Sequence, residues 1–578
     1  MEPWLVGSDP SERFPLWTRA NVGEVFPDPV APLTFTLAME DQVEGGWRDA
    51  LVRMGAFTHD EFAPDRMESL GVFGGYCYLN AALTRVLGER APGLSAQAMD
   101  DLFFGAQPGI PPYEVAPGDV NEERTAAIGG VFQWAMTIDK LEEPAAGEAL
   151  VRKLREARPD LESMSNEDLW TYGRDLLLKD FRQLFSEHIF VTFISTVPVG
   201  ALTQICEAIG RPSDAMRIIS GVGDVESAAP SMAMWEMGRQ IAADAGLNAE
   251  FAAGVDGVLD RIVASGSEAG TAFLGDFTAF IERYGARGPK EWEASNPVWE
   301  TRPELALAAI DRMRLADASQ APAGKNLLMA VERERLVVEI GEMLAGDAET
   351  QGMFMAAANA ATVFQAGRER TKTNAIKLIH ETRMALQVIG RRMVAGGFCD
   401  EVGDYGLLRA EEADGWLANP ASMTETLRER RTLFNEYNSL QEPFVFHGEM
   451  PDVSTWPRKG ETPVEAVAVG DVLQGFSGCP GVVTAVARVI LDPLDPTALG
   501  PGEILVAPMT DPSWTPLFVA AGGVIVDVGA AQSHAMIVSR ELGIACVPSV
   551  TDATRRIPSG ATVEVNGDAG TVTIVALP

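Results

Sequence analysis

Along most of this chain apolar residues return at helical intervals, and only the last hundred or so positions change period. From about 95 to 440 the spacing i, i+3, i+4 dominates. Leu169, Tyr172, Leu176, Leu177, Phe181, Leu184 and Phe185 form one such stripe, with Asn166 read as its capping residue. His188 continues that apolar face and reads as a satisfied core histidine. Residues 1–60 are irregular and rich in Pro and aromatics. Over 441–470, Pro443, Gly448, Pro451, Pro457, Gly460 and Pro463 puncture every period, so the stretch reads as a linker and His447 as an ordinary loop residue. Beyond it come short β-rich runs at 482–490, 504–507 and 524–528. A hairpin of 563–565 with 571–575 follows, turning through Asn566-Gly567-Asp568-Ala569-Gly570. The pattern predicts a multidomain chain: a mainly α-helical large domain over 1–440, a linker over 441–470, and a small α/β domain over 471–578.

Length agrees, since 578 residues exceed one core and suggest two to four domains. A net charge of −36 argues against nucleic acid or an anionic membrane as partner. The start, Met1-Glu2-Pro3-Trp4, lacks the basic region of a signal peptide, and the longest apolar runs, near 190–202 and 517–528, are interrupted by Pro, Thr or Gly. Cys77, Cys206, Cys399, Cys479 and Cys546 are scattered without C-x-x-C spacing, which points to reduced thiols, no structural zinc or other metal site, and a cytoplasmic location.

Chemistry concentrates at Gly529-Ala530-Ala531-Gln532-Ser533-His534. A small-residue turn leads into a histidine that opens a short apolar helix, running to Leu542 and stopped by Gly543 at the left-handed position. Ser533 is placed as N-cap. At such a helix start, unpaired N–H groups and the positive end of the dipole welcome a phosphoryl group. The same field disfavours imidazolium, leaving a lone pair on His534 to attack phosphorus. Gly529 and Ser533 complete the expected phosphate cradle, on a helix expected to face the surface.

A second polar concentration lies on a helix read as starting near Gly367. Arg368, Glu369, Lys372, Ile376, His380 and Arg383 fall within an arc of about 120° at ~100° per residue. Ala375, Leu378, Leu386 and Met393 form an adjoining apolar stripe, so the polar arc borders the core rather than open water. No Walker A box is present: Gly324-Lys325-Asn326 lacks the upstream Gly and the following Ser/Thr.

The C-terminal motifs resemble the phosphohistidine domain of the phosphoenolpyruvate-utilising enzymes. They are Gly478-Cys479-Pro480-Gly481 with Ala487-Arg488-Val489, Pro501-Gly502-Glu503, Thr510-Asp511-Pro512-Ser513-Trp514-Thr515-Pro516, the histidine box, and Glu541-Leu542-Gly543. Cys479, Gln532 and Met536 depart from the usual residues. Asn21-Val22-Gly23-Glu24-Val25-Phe26-Pro27, Gly74-Gly75-Tyr76 and the Arg368-Glu369-x-x-Lys372 helix resemble the acceptor domain of rifampicin phosphotransferase-like members. So does Tyr284-Gly285-Ala286-Arg287-Gly288, with Glu291, Pro297 and Trp299, although Ala286 stands where many relatives carry histidine. The resemblance implies a swivelling phosphohistidine domain behind an acceptor domain, with the divided arrangement of phenylphosphate synthase. A separate ATP-grasp subunit, holding ATP and Mg2+, would load His534 and release AMP and phosphate. The phosphoryl group would pass to a small hydroxylated, phenolic substrate. Arg368, Glu369, Lys372, Arg383 and Arg287 are the expected phosphoryl and substrate contacts, with His380 as candidate base. Two alternatives stand beside this reading: an antibiotic phosphotransferase component, and a non-catalytic phosphohistidine carrier or regulator.

Overall fold

The computed structural model describes residues 2–578, except 105–106, 108, 223–228, 317–320, 462, 494–498 and 530–532, and the side chains of 322–326 and 512. Helices form 56% of the chain, and the C-terminal region is α/β, as the periodicities predict. The elements used below are, in chain order, strands β1 (Leu16–Thr18), β2 (Leu70–Phe73) and β3 (Tyr76–Asn80), then helices α1 (Asn166–Ile194), α2 (Ala229–Ala243), α3 (Glu268–Tyr284), α4 (Glu304–Leu315), α5 (Pro322–Met343) and α6 (Ala348–Ala395). They continue with β4 (Val445–His447), β5 (Val472–Gln474), β6 (Val482–Val489), β7 (Ile504–Ala507), α7 (Thr515–Ala520), β8 (Gly523–Val526), α8 (His534–Leu542), β9 (Ala545–Val547), α9 (Ala553–Arg556), β10 (Thr562–Asn566) and β11 (Thr571–Ala576). The chain forms two compact, discontinuous units. One comprises Met1–Pro198, Lys290–Asn296 and Asn359–Pro463; the other comprises Val199–Pro289, Pro297–Ala358 and Val464–Pro578.

The first unit contains a sheet the periodicity did not predict, in the order β2-β3-β1-β4 and antiparallel throughout. Gly74 and Gly75, both at positive φ, make the tight turn between β2 and β3. β4 pairs with β1 in the register Trp17↔Phe446, so part of the stretch expected to be a linker is a sheet strand. Trp456, also from that stretch, is 7% exposed and packs with Tyr76. The Pro and Gly residues that read as linker punctuation here make turns on a packed aromatic core of Trp17, Phe73, Tyr78 and Phe446.

In the same unit α1 and α6 run antiparallel. Thr382 Oγ1 donates to the Gly173 carbonyl at 2.9 Å, and further along His188 Nδ1 lies 3.4 Å from Thr371 Oγ1. Gly367 lies inside α6 rather than at a helix start. A Cβ there would meet Leu141 Cδ1 at 2.5 Å, so close packing and not helix termination explains this glycine. The cap of α1 is Ser165, whose side chain accepts from Asp168 N; Asn166 is the first helical residue and accepts from Arg392 instead. One segment, Asn166–Ala208, contains an 18-residue window of mean hydropathy 1.7, long and apolar enough to span a bilayer, with half of that window buried in protein.

The second unit holds a seven-stranded sheet in the order β5-β11-β10-β6-β7-β8-β9, parallel from β6 to β9 and antiparallel elsewhere. Alternation along β7 divides the core. Ile504 and Val506 join Ile525, Val547 and Val563 on one face; Leu505 and Ala507 on the other join Met536 and Val538 of α8, Phe277 of α3 and Ile310 of α4. All five cysteines are free and buried, and no metal-binding cluster occurs among the described residues.

Candidate active site

β7 and β8 are neighbouring parallel strands, and the segments leaving their carboxyl ends build the histidine site, the usual place for a ligand site in such sheets. After β7, Asp511 accepts from the Ser513 amide at 2.8 Å and from its hydroxyl, which tightens a one-turn helix between Thr510 and Thr515. After β8 the chain reaches α8. Ser533 is its N-cap, with an extended backbone and a side chain accepting from Met536 N, and Gly543 closes it at φ 60°, ψ 44°. Gly529 sits where a Cβ would meet Pro548 Cβ at 3.0 Å and Val526 Cγ2 at 3.1 Å, so the turn lies against the strand ends with no room for a side chain. Ala530, Ala531 and Gln532 lie outside the described residues.

The His534 ring is held at both nitrogens. Nδ1 is 3.0 Å from Thr510 Oγ1, Nε2 is 3.3 Å from Thr515 Oγ1, and the ring meets Phe518 edge-on at 5.8 Å. A threonine hydroxyl both donates and accepts, so this pair suits an imidazole with one N–H and one lone pair. The longer contact at Nε2 is the weaker one, and the more easily given up to an incoming group. Both threonines lie in the 510–516 motif, where only two hydroxyl residues bracketing a strand-end loop mark them in the sequence. The expectation of a surface-facing helix does not hold. His534 is 7% exposed and all nine residues of α8 are buried, because the helix packs its apolar side into the α3–α4 cluster. Met329 of α5 lies over the helix end, its sulfur 3.3 Å from a Cβ placed on Gly543. The departures Met536 and Cys479 pack behind the helix: a Cβ on Gly478 would come within 2.9 Å of the Met536 sulfur, and Cys479 Sγ donates to the Ser539 carbonyl. The loop that supplies Thr515 also lines a small crevice through Ser513 and Pro516, with Trp299, Leu305 and Arg312 opposite.

The cationic stripe of α6 is buried in the first unit. Arg368 and Glu369 are 8% and 2% exposed and pair at 3.1 Å, while Lys372 Nζ stands 3.9 Å from Glu291 Oε1. His188 of α1 lies against Thr371 and stacks on Trp292 at 6.1 Å, so Arg368, Glu369, Lys372, His188, Glu291 and Trp292 form one cluster. Arg383 has a different task. Fully buried, it donates Nη2 to the carbonyls of Glu291 and Glu293 and braces the loop that carries Glu291 and Trp292. Its Nε and Nη1 have no hydrogen-bond partner among the described residues. His380 is 1% exposed, two turns beyond Lys372 on α6. Arg287 belongs to the second unit, is 3% exposed, and is held through its backbone: its amide donates to the Tyr284 carbonyl and its carbonyl accepts from the Trp299 amide. Ala286 beside it is buried.

Residues 499–570, which contain His534 and both threonines, match the family of the PEP-utilising enzyme mobile domain, and residues 188–369 match the rifampicin phosphotransferase fourth domain. The chain therefore carries a phosphoenolpyruvate-utilising-enzyme mobile domain together with a fourth domain of the rifampicin phosphotransferase type. Among individual proteins it is similar to rifampicin phosphotransferase of Streptomyces sviceus, 31% identical over 340 residues, 57% of this chain and 37% of that protein. It is similar along 99% of its length to the prodigiosin synthesizing transferase PigC of Serratia marcescens, 27% identical and covering 64% of that protein. The uncharacterized phosphotransferase YvkC of Bacillus subtilis is 28% identical over 54% of this chain and 37% of its own length. The chain thus spans between about one third and two thirds of the length of these relatives.

Proposed function

We propose that this chain is a phosphotransferase component that carries a phosphoryl group on His534 and delivers it to a substrate hydroxyl. The observation that carries the reading is the His534 ring, held at both nitrogens by Thr510 and Thr515 at the N-terminus of α8. An imidazole so placed presents a lone pair beside backbone N–H groups able to receive phosphoryl oxygens. In-line transfer through a loose transition state then needs mainly positioning and cations on the equatorial oxygens. Arg368 and Lys372 supply those cations, Glu369 orients Arg368, and Arg383 holds the adjoining loop. The phosphoryl group comes from ATP with Mg2+, bound by an ATP-grasp module on a separate subunit, and AMP and phosphate are released. The mobile domain swings between that donor and the acceptor. The acceptor is a phenol, since a cationic pocket stabilises a phenolate without a strong base.

A second reading draws on the relative that matches nearly the whole chain, the prodigiosin synthesizing transferase. In it the phosphoryl acceptor is an intermediate in building a larger natural product. Rifampicin phosphotransferase among the relatives supports an antibiotic acceptor in the same way. Treating the chain with phosphoramidate, a partner-free phosphoryl donor, tests the carrier step common to all three. Acid-labile, base-stable phosphate should appear on the chain and be absent from His534→Ala; label that persists in that variant refutes the reading. Supplying the labelled chain with phenol, then rifampicin, distinguishes the acceptors.

A further inference from the structure

His188 is a buried histidine that no step so far uses, and its surroundings determine where its proton sits. Thr371 Oγ1 donates to the Arg368 carbonyl at 3.0 Å, which commits its only proton. Thr371 Oγ1 also lies 3.4 Å from His188 Nδ1, and toward that nitrogen it can only accept. Thr192 Oγ1, one turn on along α1, lies 3.4 Å from the same nitrogen, and the Arg368 carbonyl, purely an acceptor, faces the ring as well. The Thr371 hydroxyl, its own proton committed, therefore calls for an N–H at Nδ1. Burial, and after it the positive charges of Arg368 and Lys372, pull the pKa of His188 down to about 3, against the opposing influence of Glu369. The neutral ring is then the Nδ1–H form with a bare lone pair on Nε2. Both threonine contacts of the ring fall on Nδ1 and neither on Nε2. Stacking on Trp292, itself edge-on to Phe185, fixes the ring plane.

We propose that His188 Nε2 is the hydrogen-bond acceptor that selects and orients the hydroxyl of the phosphoryl acceptor, beside the cations Arg368 and Lys372. The inference rests on the reading that this cluster is the acceptor site. The chemistry is complementary. Two cations hold the transferring group's oxygens, and near them a polar atom kept unprotonated favours an incoming O–H over a group with no proton to donate. In the transfer, the hydroxyl oxygen forms its bond to phosphorus as the P–N bond of phosphohistidine breaks, and the P–N electron pair returns to the His534 ring. The hydroxyl proton is lost late, when the oxygen has become an ester and is strongly acidic, so a weak base suffices; it passes to Nε2 and on to water.

The test combines a spectroscopic and a kinetic arm. In the chain labelled with 15N-histidine, the His188 signals are assigned among the five histidines by their loss in His188→Phe. Long-range 1H–15N spectra should show a protonated Nδ1 and a bare Nε2, unchanged between pH 8 and 5. A proton on Nε2 at pH 7, or titration near 6.5, overturns the inference whatever the acceptor. In the kinetic arm the chain is loaded at His534 with phosphoramidate and supplied with phenol. His188→Phe should slow phenyl phosphate formation by about 10²-fold, the scale for loss of one preorganised partner. His188→Gln, whose Oε1 can stand in for Nε2, should remain within about tenfold of wild type, and loading should be normal in both. If Arg368→Ala slows transfer and His188→Phe does not, this inference alone falls. If neither slows it, the acceptor-site reading falls too. A wild-type chain that loads but yields no phenyl phosphate removes the phenolic acceptor and leaves the spectra to decide His188.

Discussion

Replacing Thr510 by valine isolates what the loop after β7 contributes to His534. Valine keeps the shape of threonine and removes one hydroxyl, the group 3.0 Å from His534 Nδ1. The pair is buried, with Thr510 2% and His534 7% exposed, so water does not readily replace the lost partner. A buried hydrogen-bonding group left unpaired costs about 1–3 kcal/mol. If that partner holds the ring in the reactive tautomer and orientation, most of the cost falls on the transition state. Loading should then slow by roughly 5- to 150-fold, at 1.4 kcal/mol per factor of ten. Thr515→Val should behave differently. Its contact is longer, 3.3 Å at Nε2, and if Nε2 is the atom that receives phosphorus this hydrogen bond must break anyway. Its removal should change the loading rate less than threefold by order of magnitude, the scale of a weak hydrogen bond given up before the reaction. The assay follows phosphohistidine formation from phosphoramidate by 31P NMR, with His534→Ala as blank and thermal unfolding as a control for folding. A Thr510→Val chain that loads at the wild-type rate would show that the threonine packs beside the ring without positioning it. If Thr515→Val is the slower variant, the nitrogens have been assigned the wrong way round.

Arg368→Ala and Lys372→Ala should each slow delivery from His534 to the acceptor by roughly 10²-fold while leaving phosphoramidate loading intact; parallel loss of both steps, measured by single-turnover label transfer, would make the stripe structural. Trp456→Ala should destabilise the first unit by about 3–5 kcal/mol, the range for truncating a buried Trp, in denaturant melts. A negligible change would return residues 441–463 to the role of a passive linker. Burial raises the pKa of Asp527 from 3.8 to about 7, with Thr554 donating to its carboxylate in partial opposition. The folded state therefore holds the proton more tightly than the unfolded state, so this contribution to stability is complete below pH 3.8 and is lost as pH rises through 7. Asp527→Asn should flatten the decline in stability between pH 5 and 8 by at most about 2–3 kcal/mol; an unchanged profile in melts at the two pH values would refute the assignment.

Local chemistry was legible where a few neighbouring residues decide the outcome. Ser533 ahead of His534 and Gly543 after Leu542 mark the two ends of α8, because capping depends on one side chain and one backbone angle within a turn. The terminal hairpin around 566–570 was legible for the same reason, and so was the polar arc on α6. Where local signals were misread, the cause was a neighbour distant in sequence. Gly367 looked like a helix boundary because nothing near it reveals Leu141 packed against its Cα. Residues 445–447 looked like linker because their strand partner is at 16–18, more than four hundred positions away, and a three-residue strand carries no periodicity of its own. The candidate sites show the same division. His534 could be named from its own turn, whereas Thr510 and Thr515 reach it only because parallel pairing of β7 with β8 brings two strand ends together. His188 reads as a core histidine from its apolar face, and it is buried; the antiparallel course of α1 along α6 is what sets it against Thr371 and in the field of Arg368 and Lys372. Capping and turn preferences act over a few residues and are written where they act, while a charge or hydroxyl several ångströms away in space enters the chain's energy only after the strands and helices have paired.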